Sequence, residues 1–138
     1  MIEVSLVWGG RSLTLAKVVL EHGSDTVGFE QYHPVLERVL TVLPLCCSVI
    51  LSADRGFVSE ASPEEKHGAL MRWLQKQRWL WAIRVKSDLN VTLASSRTQV
   101  VEDLIPNPEQ ANLFPHVTGL DDIYCHLVTA NVPTVAEP

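Results

Sequence analysis

The sequence lacks the features that mark membrane, secreted and disulfide-bonded proteins. No apolar run approaches the roughly 20 residues of a membrane-spanning helix, and Glu3 stands where a secretory signal would carry lysine or arginine. We therefore expect a cytoplasmic protein that does not enter a membrane. The cysteines, Cys46, Cys47 and Cys125, form neither a disulfide framework nor a CxxC metal pair. We expect them to be reduced, buried thiols.

Several catalytic signatures are also missing. The five histidines show no HxxxH or HExxH spacing, which disfavours a zinc site. No glycine-rich phosphate loop is present. Ser52 and Ser59 have no histidine at a nucleophile-elbow spacing, which disfavours hydrolase chemistry.

Basic residues are scarce and unevenly distributed. The 138 residues carry a net charge of −5, which argues against a free-standing DNA-binding module because DNA phosphates are normally met by a net basic face. Residues 54–86 hold seven Lys/Arg and four Asp/Glu, whereas residues 87–138 hold one and seven. Any surface for nucleic acid must therefore lie in the middle third of the chain.

The most informative stretch is SVILSADRGF, residues 48–57. Its apolar run, residues 49–51, is typical of a buried strand and ends at Asp54, Arg55 and Gly56. Ligands of α/β sheets bind at the carboxyl ends of strands, so Asp54 is the best candidate for chemistry. The alternative is that Asp54 caps the following turn or pairs with Arg55 or another cation.

The flanking segments predict a regular order of elements. Alternating residues 2–8 and the pair Gly9-Gly10 predict a β-hairpin. Helical apolar spacing from Tyr32 to Leu43 predicts a helix with Pro34 in its first turn. A capping box at residues 62–65 predicts a second helix that ends near Gln77.

The residues that follow predict a further strand and then a region rich in short strands. Alternation from Trp79 to Lys86 predicts a strand with Arg84 and Lys86 on one face near its end. These two cations could meet an anionic ligand, or they could belong to a solvated strand edge. The order of elements predicts an α/β layer with a mixed sheet. From Leu89, short apolar pieces between turn-rich stretches predict a β-rich appendage, so we expect domains at residues 1–88 and 89–138.

Four segments together resemble a known family. In order they read GRSLTLAKVVLEHGS, HPVLERVLTVLP, ILSADRGF and LMRWLQKQRWLWAIRVKSD. This succession resembles the catalytic core of DDE transposases from bacterial insertion sequences, of the group called the IS-four family, most clearly over residues 6–88. The resemblance implies a ribonuclease H-like fold. It also implies cutting and joining of DNA strands at transposon ends with two Mg²⁺ or Mn²⁺ ions, held by two aspartates and a glutamate.

The resemblance assigns roles to particular residues. It makes Asp54 the second acid of the triad and therefore a catalytic metal ligand. It places Arg84 and Lys86 on a basic strand near the DNA, and it makes residues 89–133 a β-rich insertion that precedes the last catalytic helix. Two metal ions about 3.5 to 4 Å apart need several carboxylates to balance their charge, which agrees with a triad of acids.

The other two acids of the family have no counterpart in this sequence. The first aspartate belongs to a strand before the one that starts here, and the glutamate belongs to a later helix. Glu3 comes too late in the fold order, and Glu137 lies in a tail without helical pattern. We therefore expect a transposase core that lacks its first strand and last catalytic helix and does not hold metal stably.

This expectation has consequences for behaviour and partners. Loss of a central strand would expose apolar surface and unpaired edges, so we expect a marginally stable or self-associating protein. The resemblance therefore implies a transposase fragment that is inactive alone. The alternative is a non-catalytic domain that binds DNA or a full-length transposase, as a remnant or an inhibitor of transposition.

Overall fold

The computed structural model describes residues 1–19, 28–44, 46–57, 68–119 and 123–132. The chain divides into two compact units, Met1–Ile83 (unit 1) and Arg84–Pro138 (unit 2). The described residues form two α-helices and eight β-strands, so the predicted α/β class is confirmed. Neither of these helices combines the length and the apolar character needed to cross a bilayer.

Unit 1 begins with the predicted hairpin. Strand β1 (Ile2–Trp8) pairs antiparallel with β2 (Arg11–Val18). Gly9 and Gly10 connect them with φ angles of 56° and 76°. A two-residue hairpin turn of this type needs positive φ at both positions, which glycine adopts without a Cβ clash.

Helix α1 (Phe29–Val42) confirms the predicted first helix but starts earlier. Pro34 is its sixth residue, so the expectation that Pro34 lies in the first turn is wrong. The extra residues pack on the predicted ones, since the Phe29 ring meets the rings of Tyr32 and His33 at centroid distances of 5.4 and 4.9 Å. Aromatic contacts of this kind stabilise the added turn.

Helix α2 (Ala69–Lys76) supplies the centre of the unit 1 core. Leu70, Trp73 and Leu74 are buried, as their spacing predicted, and Leu74 is completely inaccessible. Its predicted capping box at residues 62–65 lies outside the described residues.

Two short parallel strands follow the helices. Strand β3 (Ile50–Ala53) pairs with β4 (Leu80–Ile83), with Ile50 opposite Leu80. Leu51, Trp81 and Ile83 pack against the core, but Ile50 and Leu80 are 67% and 60% exposed. The expectation of a fully buried central strand is therefore wrong, because only one face of this pair is covered.

The hairpin and the parallel pair do not form one sheet. In the described part of the chain they are separate two-stranded sheets, β1-β2 and β3-β4, in place of the expected continuous mixed sheet. Among the described residues, no strand pairs with the second edge of β1 or of β3, so neither pair is part of a wider sheet there.

Unit 2 is rich in β-strands, as the sequence predicted. Its described strands are antiparallel and run in the order β6-β5-β7-β8. They are β5 (Asn90–Thr92), β6 (Thr98–Val100), β7 (Ala111–Gly119) and β8 (Ile123–Ala130). A separate core packs beneath them, formed by Val91, Val101, Leu104, Val117 and Leu127.

The cysteines are unbonded thiols, but their predicted burial is wrong for two of them. Cys46 and Cys47 are exposed because they lie in the connection between α1 and β3, outside the core. Cys125 lies on β8 and is half-buried, and burial raises the pKa of its thiol.

Candidate functional site

Asp54 lies where the sequence predicted it, directly after the last residue of β3. It is exposed, and it is followed by a single turn of 3₁₀-helix, Arg55–Phe57. Because β3 is parallel to β4, both strands direct their carboxyl ends the same way. This is the edge of an α/β sheet at which ligands are usually bound.

Local hydrogen bonds fix the backbone around Asp54. The Arg55 backbone N–H donates to Asp54 Oδ1 at 2.7 Å, and the Phe57 N–H donates to the Asp54 carbonyl at 3.1 Å. The Tyr32 hydroxyl donates to the Phe57 carbonyl at 3.0 Å, which ties this turn to α1. The turn-capping role that the sequence left open for Asp54 is therefore present in the structure.

A cavity of about 730 Å³ lies in unit 1 beside this turn. It is lined by every residue of β1, by residues 48–53 and by apolar side chains of α1, including Leu36 and Val39. Ala53 and Phe57, which flank Asp54 in sequence, also line it. Asp54 therefore lies at the border of a mainly apolar, strand-lined cavity.

Arg84 and Lys86 are not on a strand, so their predicted placement on β4 is wrong. Strand β4 ends at Ile83, and both cations follow it as exposed residues at the start of unit 2. The chain turns just beyond them, where the Leu89 N–H donates to the Lys86 carbonyl at 3.3 Å. The three predicted site residues thus fall in different units, Asp54 in unit 1 and the cations in unit 2.

The described residues do not fit a two-metal centre. Within those ranges, no three His, Cys, Asp or Glu side chains lie close enough together to hold a metal ion. A pair of divalent ions needs several carboxylates, and Asp54 is only one. The metal-binding role that the resemblance implies for Asp54 stays a prediction.

Glu3 forms a polar cluster that the sequence analysis missed. Its Oε1 accepts hydrogen bonds from Thr14 Oγ1 at 2.7 Å and from Ser5 Oγ at 2.8 Å. The hydrogen bond from Thr14, then that from Ser5 and the charge of Lys17 lower the pKa of Glu3. The hairpin register around the two glycines places Ser5 opposite Thr14, and this was the available signal.

No family model, curated protein or solved structure matches this chain. What the site can do chemically therefore follows from its own residues. An exposed carboxylate follows β3 of a parallel strand pair, next to a mainly apolar cavity that is lined by all residues of β1 and by residues 48–53. Such a cavity suits an extended polypeptide better than it suits a charged small molecule.

Proposed function

We propose that the chain carries part of the catalytic core of a DDE transposase of the bacterial insertion-sequence type, with Asp54 as the second acid. One observation supports this most strongly. Asp54 directly follows β3, the first strand of a parallel pair, and β3 follows an antiparallel hairpin and a helix. This order of elements is the one that the resemblance to a ribonuclease H-like core implies, with the acid at the expected strand end.

The proposal needs more acids than Asp54 alone. The described residues offer Asp54 without two further acids beside it. Catalysis in this proposal needs further carboxylates beside Asp54, and Mg²⁺ or Mn²⁺ is the cofactor that an all-oxygen site would select. Arg84 and Lys86 are exposed and are our candidates for contacts with the DNA phosphates.

The test is nicking of supercoiled plasmid in Mg²⁺ or Mn²⁺. We expect no nicking by the purified chain. We expect nicking after co-purification with polypeptides translated from the neighbouring reading frames, if these supply a strand that ends in Asp and a helix that bears Glu. Asp54→Ala should abolish the restored activity, whereas the control Asp103→Ala, at an exposed position of unit 2, should not.

Two results would contradict the proposal. Restored nicking that survives Asp54→Ala would remove Asp54 from the chemistry. Nicking by the chain alone that is lost in Asp54→Ala would show that the metal site is complete without a second polypeptide.

A second candidate function is a non-catalytic domain that binds DNA or a transposase and inhibits transposition. Among the described strands, β1 and β3 each have an edge without a partner, which favours this function because unpaired strand edges are sites for association.

DNA binding by this domain can be tested with a gel-shift assay. The double variant Arg84→Ala/Lys86→Ala should weaken binding of DNA, and Lys76→Ala/Arg97→Ala is the charge-matched control. Equal binding by both double variants would mean that the contact is non-specific. Co-expression that leaves transposition frequency unchanged would exclude an inhibitor.

A further inference from the structure

Two histidines of unit 2 lie in contact across adjacent strands. His116 belongs to β7 and His126 to β8, and their ring centroids are 5.3 Å apart, with the ring planes inclined at 62°. Both side chains are exposed to solvent. We call these two residues the histidine pair. They are ten positions apart along the chain, so the short spacings that predict zinc sites do not detect them.

A β-bulge in β7 places the histidine pair face to face. The register of the two strands shifts between Phe114 and Val117. Within this shift two residues of β7, Pro115 and His116, oppose His126 alone. Proline fits such a position because it has no N–H to donate to the ladder of a central strand. Bulges of this kind re-aim side chains, and here the re-aimed side chain is an imidazole beside a second imidazole.

The backbone of His116 has a conformation that is uncommon outside glycine. Its φ angle is 55°, in the left-handed region, which costs free energy for a residue with a Cβ. Residues in such conformations are found more often at functional sites than elsewhere. The contact that accompanies this conformation is the one between His116 and His126, so we looked for a function of the two rings together.

The spacing of the two rings suits a shared metal ion. An imidazole that binds Zn²⁺ through nitrogen has its ring centroid about 3.2 Å from the ion. Two such rings at a tetrahedral angle have centroids about 5.2 Å apart. The observed distance between the centroids of His116 and His126 is 5.3 Å. The second side-chain torsion of histidine has a broad distribution, so an exposed ring can turn a nitrogen towards the ion.

The charge and the ligands around the pair define the ion. Unit 2 contains three Lys/Arg and seven Asp/Glu, a net charge of −4, which attracts cations. Imidazole is a ligand of Zn²⁺, Cu²⁺ and Ni²⁺, whereas Mg²⁺ prefers oxygen. Among the described residues, no further His, Cys, Asp or Glu joins the pair to make a group of three. Water would therefore fill the other positions around the ion.

We propose that the histidine pair binds one divalent transition-metal ion of the class that prefers imidazole, represented here by Zn²⁺. The ion links β7 to β8 across the bulge and thereby stabilises unit 2. Asp54 belongs to unit 1 and is suited to ions that prefer oxygen. The inference depends on unit 2 alone and holds whether or not the chain takes part in DNA transposition.

The first test is a Zn²⁺ titration of the whole chain, followed through the NMR signals of the histidine rings. The signals of His116 and His126 should shift with one common midpoint, because both rings bind the same ion. The same concentrations of Mg²⁺ should leave both signals unchanged, since Mg²⁺ prefers oxygen ligands. Equal shifts with Mg²⁺, midpoints that differ more than tenfold, or no shift at 1 mM Zn²⁺ would each contradict the proposal.

Single substitutions show whether the two rings share one ion. His116→Asn suits the bulge because asparagine accepts a positive φ, and His126→Gln replaces an exposed ring. In each variant the remaining ring should bind Zn²⁺ at least tenfold more weakly, because two linked ligands bind far more tightly than one. An unchanged midpoint at the remaining ring would overturn the proposal.

The matched control for these substitutions is His33→Gln. His33 belongs to unit 1 and is hydrogen-bonded to Glu37 at 3.0 Å. This variant should leave the common midpoint of the histidine pair unchanged, and a tenfold change would contradict the proposal. If His116→Asn fails to fold, His126→Gln with this control still decides the question.

Hydrogen exchange tests the link between β7 and β8. At a Zn²⁺ concentration ten times the Kd, the amides that pair these strands should exchange about tenfold more slowly, because the ion binds the folded chain. The same Zn²⁺ concentration should not slow these amides in His126→Gln. Slowing that persists in this variant would show that Zn²⁺ acts elsewhere in the chain. That result, or no slowing in the unsubstituted chain, would contradict the proposal.

Discussion

The strands of the two units differ in the number of hydrogen-bonded neighbours and in the burial of their apolar side chains. In unit 2, β5 and β7 have hydrogen-bonded neighbours on both sides, and Val91 and Val117 on these strands are almost completely buried. In unit 1, no described strand has two neighbours, and Ile50 and Leu80 remain mostly exposed. All four are strong β-formers or apolar residues, so the side chain alone does not decide burial. The face of the sheet decides it: Val91 and Val117 belong to the core of unit 2, whereas Ile50 and Leu80 lie on the uncovered face of their strand pair.

This comparison implies that unit 1 depends on side-chain packing more than on its sheets. Its core joins both helices to the strand pairs, with Trp73 in edge-to-face contact with Trp79 at 5.6 Å and hydrogen-bonded through Nε1 to Glu37 at 3.2 Å. The core of unit 2 lies beneath a continuous four-stranded sheet. Three substitutions test this difference between the units.

The largest effect is expected at Leu74, the completely inaccessible residue of unit 1. Leu74→Ala should lower the free energy of unfolding of unit 1 by about 2 to 5 kcal/mol, because it removes apolar contacts and leaves a cavity. All four tryptophans of the chain belong to unit 1, so urea unfolding followed by tryptophan fluorescence reports on this unit. The control Leu80→Ala, at an exposed position, should cost less than about 1 kcal/mol. Equal costs at the two positions would contradict the packing account.

An intermediate effect is expected in unit 2. The buried Thr129 hydroxyl donates to the Leu104 carbonyl at 2.8 Å. Thr129→Val should cost about 1 to 3 kcal/mol, because it removes the donor and leaves a buried carbonyl without this bond. Amide exchange in β7 and β8 measures the loss. Thr92→Val, at a hydroxyl whose partner Thr98 is exposed to water, is the matched control and should cost less than about 1 kcal/mol.

The smallest effect is a shift in titration at the hairpin of unit 1. The folded pKa of Glu3 lies below its ordinary value of 4.5, chiefly through Thr14. Its stabilising contribution is therefore complete above about pH 4.5 and is lost as pH falls through the lower folded pKa. Thr14→Val should raise the pKa of Glu3, as measured by carboxyl NMR titration. Thr41→Val, whose hydroxyl bonds Arg38 in α1, should not change it. An unchanged pKa in Thr14→Val would assign the shift to Ser5 or Lys17.

Much of the fold could be predicted from local patterns. Gly9-Gly10 specified the hairpin turn, and the helical spacing in α1 and α2 identified their buried faces, since both signals act within a few residues. The errors arose where tertiary context decides the outcome. Ile50 lies in an apolar run that is typical of a buried strand, but its exposure depends on which layers cover the sheet. Arg84 and Lys86 continue the alternation of β4, but the pairing with β3 ends at Ile83.

The candidate site also combines a feature that local sequence predicts with one that depends on tertiary structure. The position of Asp54 at a strand end follows from the apolar run before it and could be predicted. The cavity beside it could not be located from sequence, because it is formed by β1, β3 and α1, which are distant along the chain. The expectation of unpaired edges came from the family resemblance, and the particular edges became clear only from the pairing of the strands.

The most direct test of the central claim, that β1 and β3 line one cavity and have no second partner among the described strands, is amide hydrogen exchange of the protein. The account predicts an alternating pattern in residues 2–8 and 50–53, in which slowly exchanging amides face the paired strand and rapidly exchanging amides face away from it. It predicts slow exchange of the amides that are paired on both sides of β5. Uniformly slow exchange through β1 and β3 in the dilute protein would show that both edges are already paired and would contradict the account.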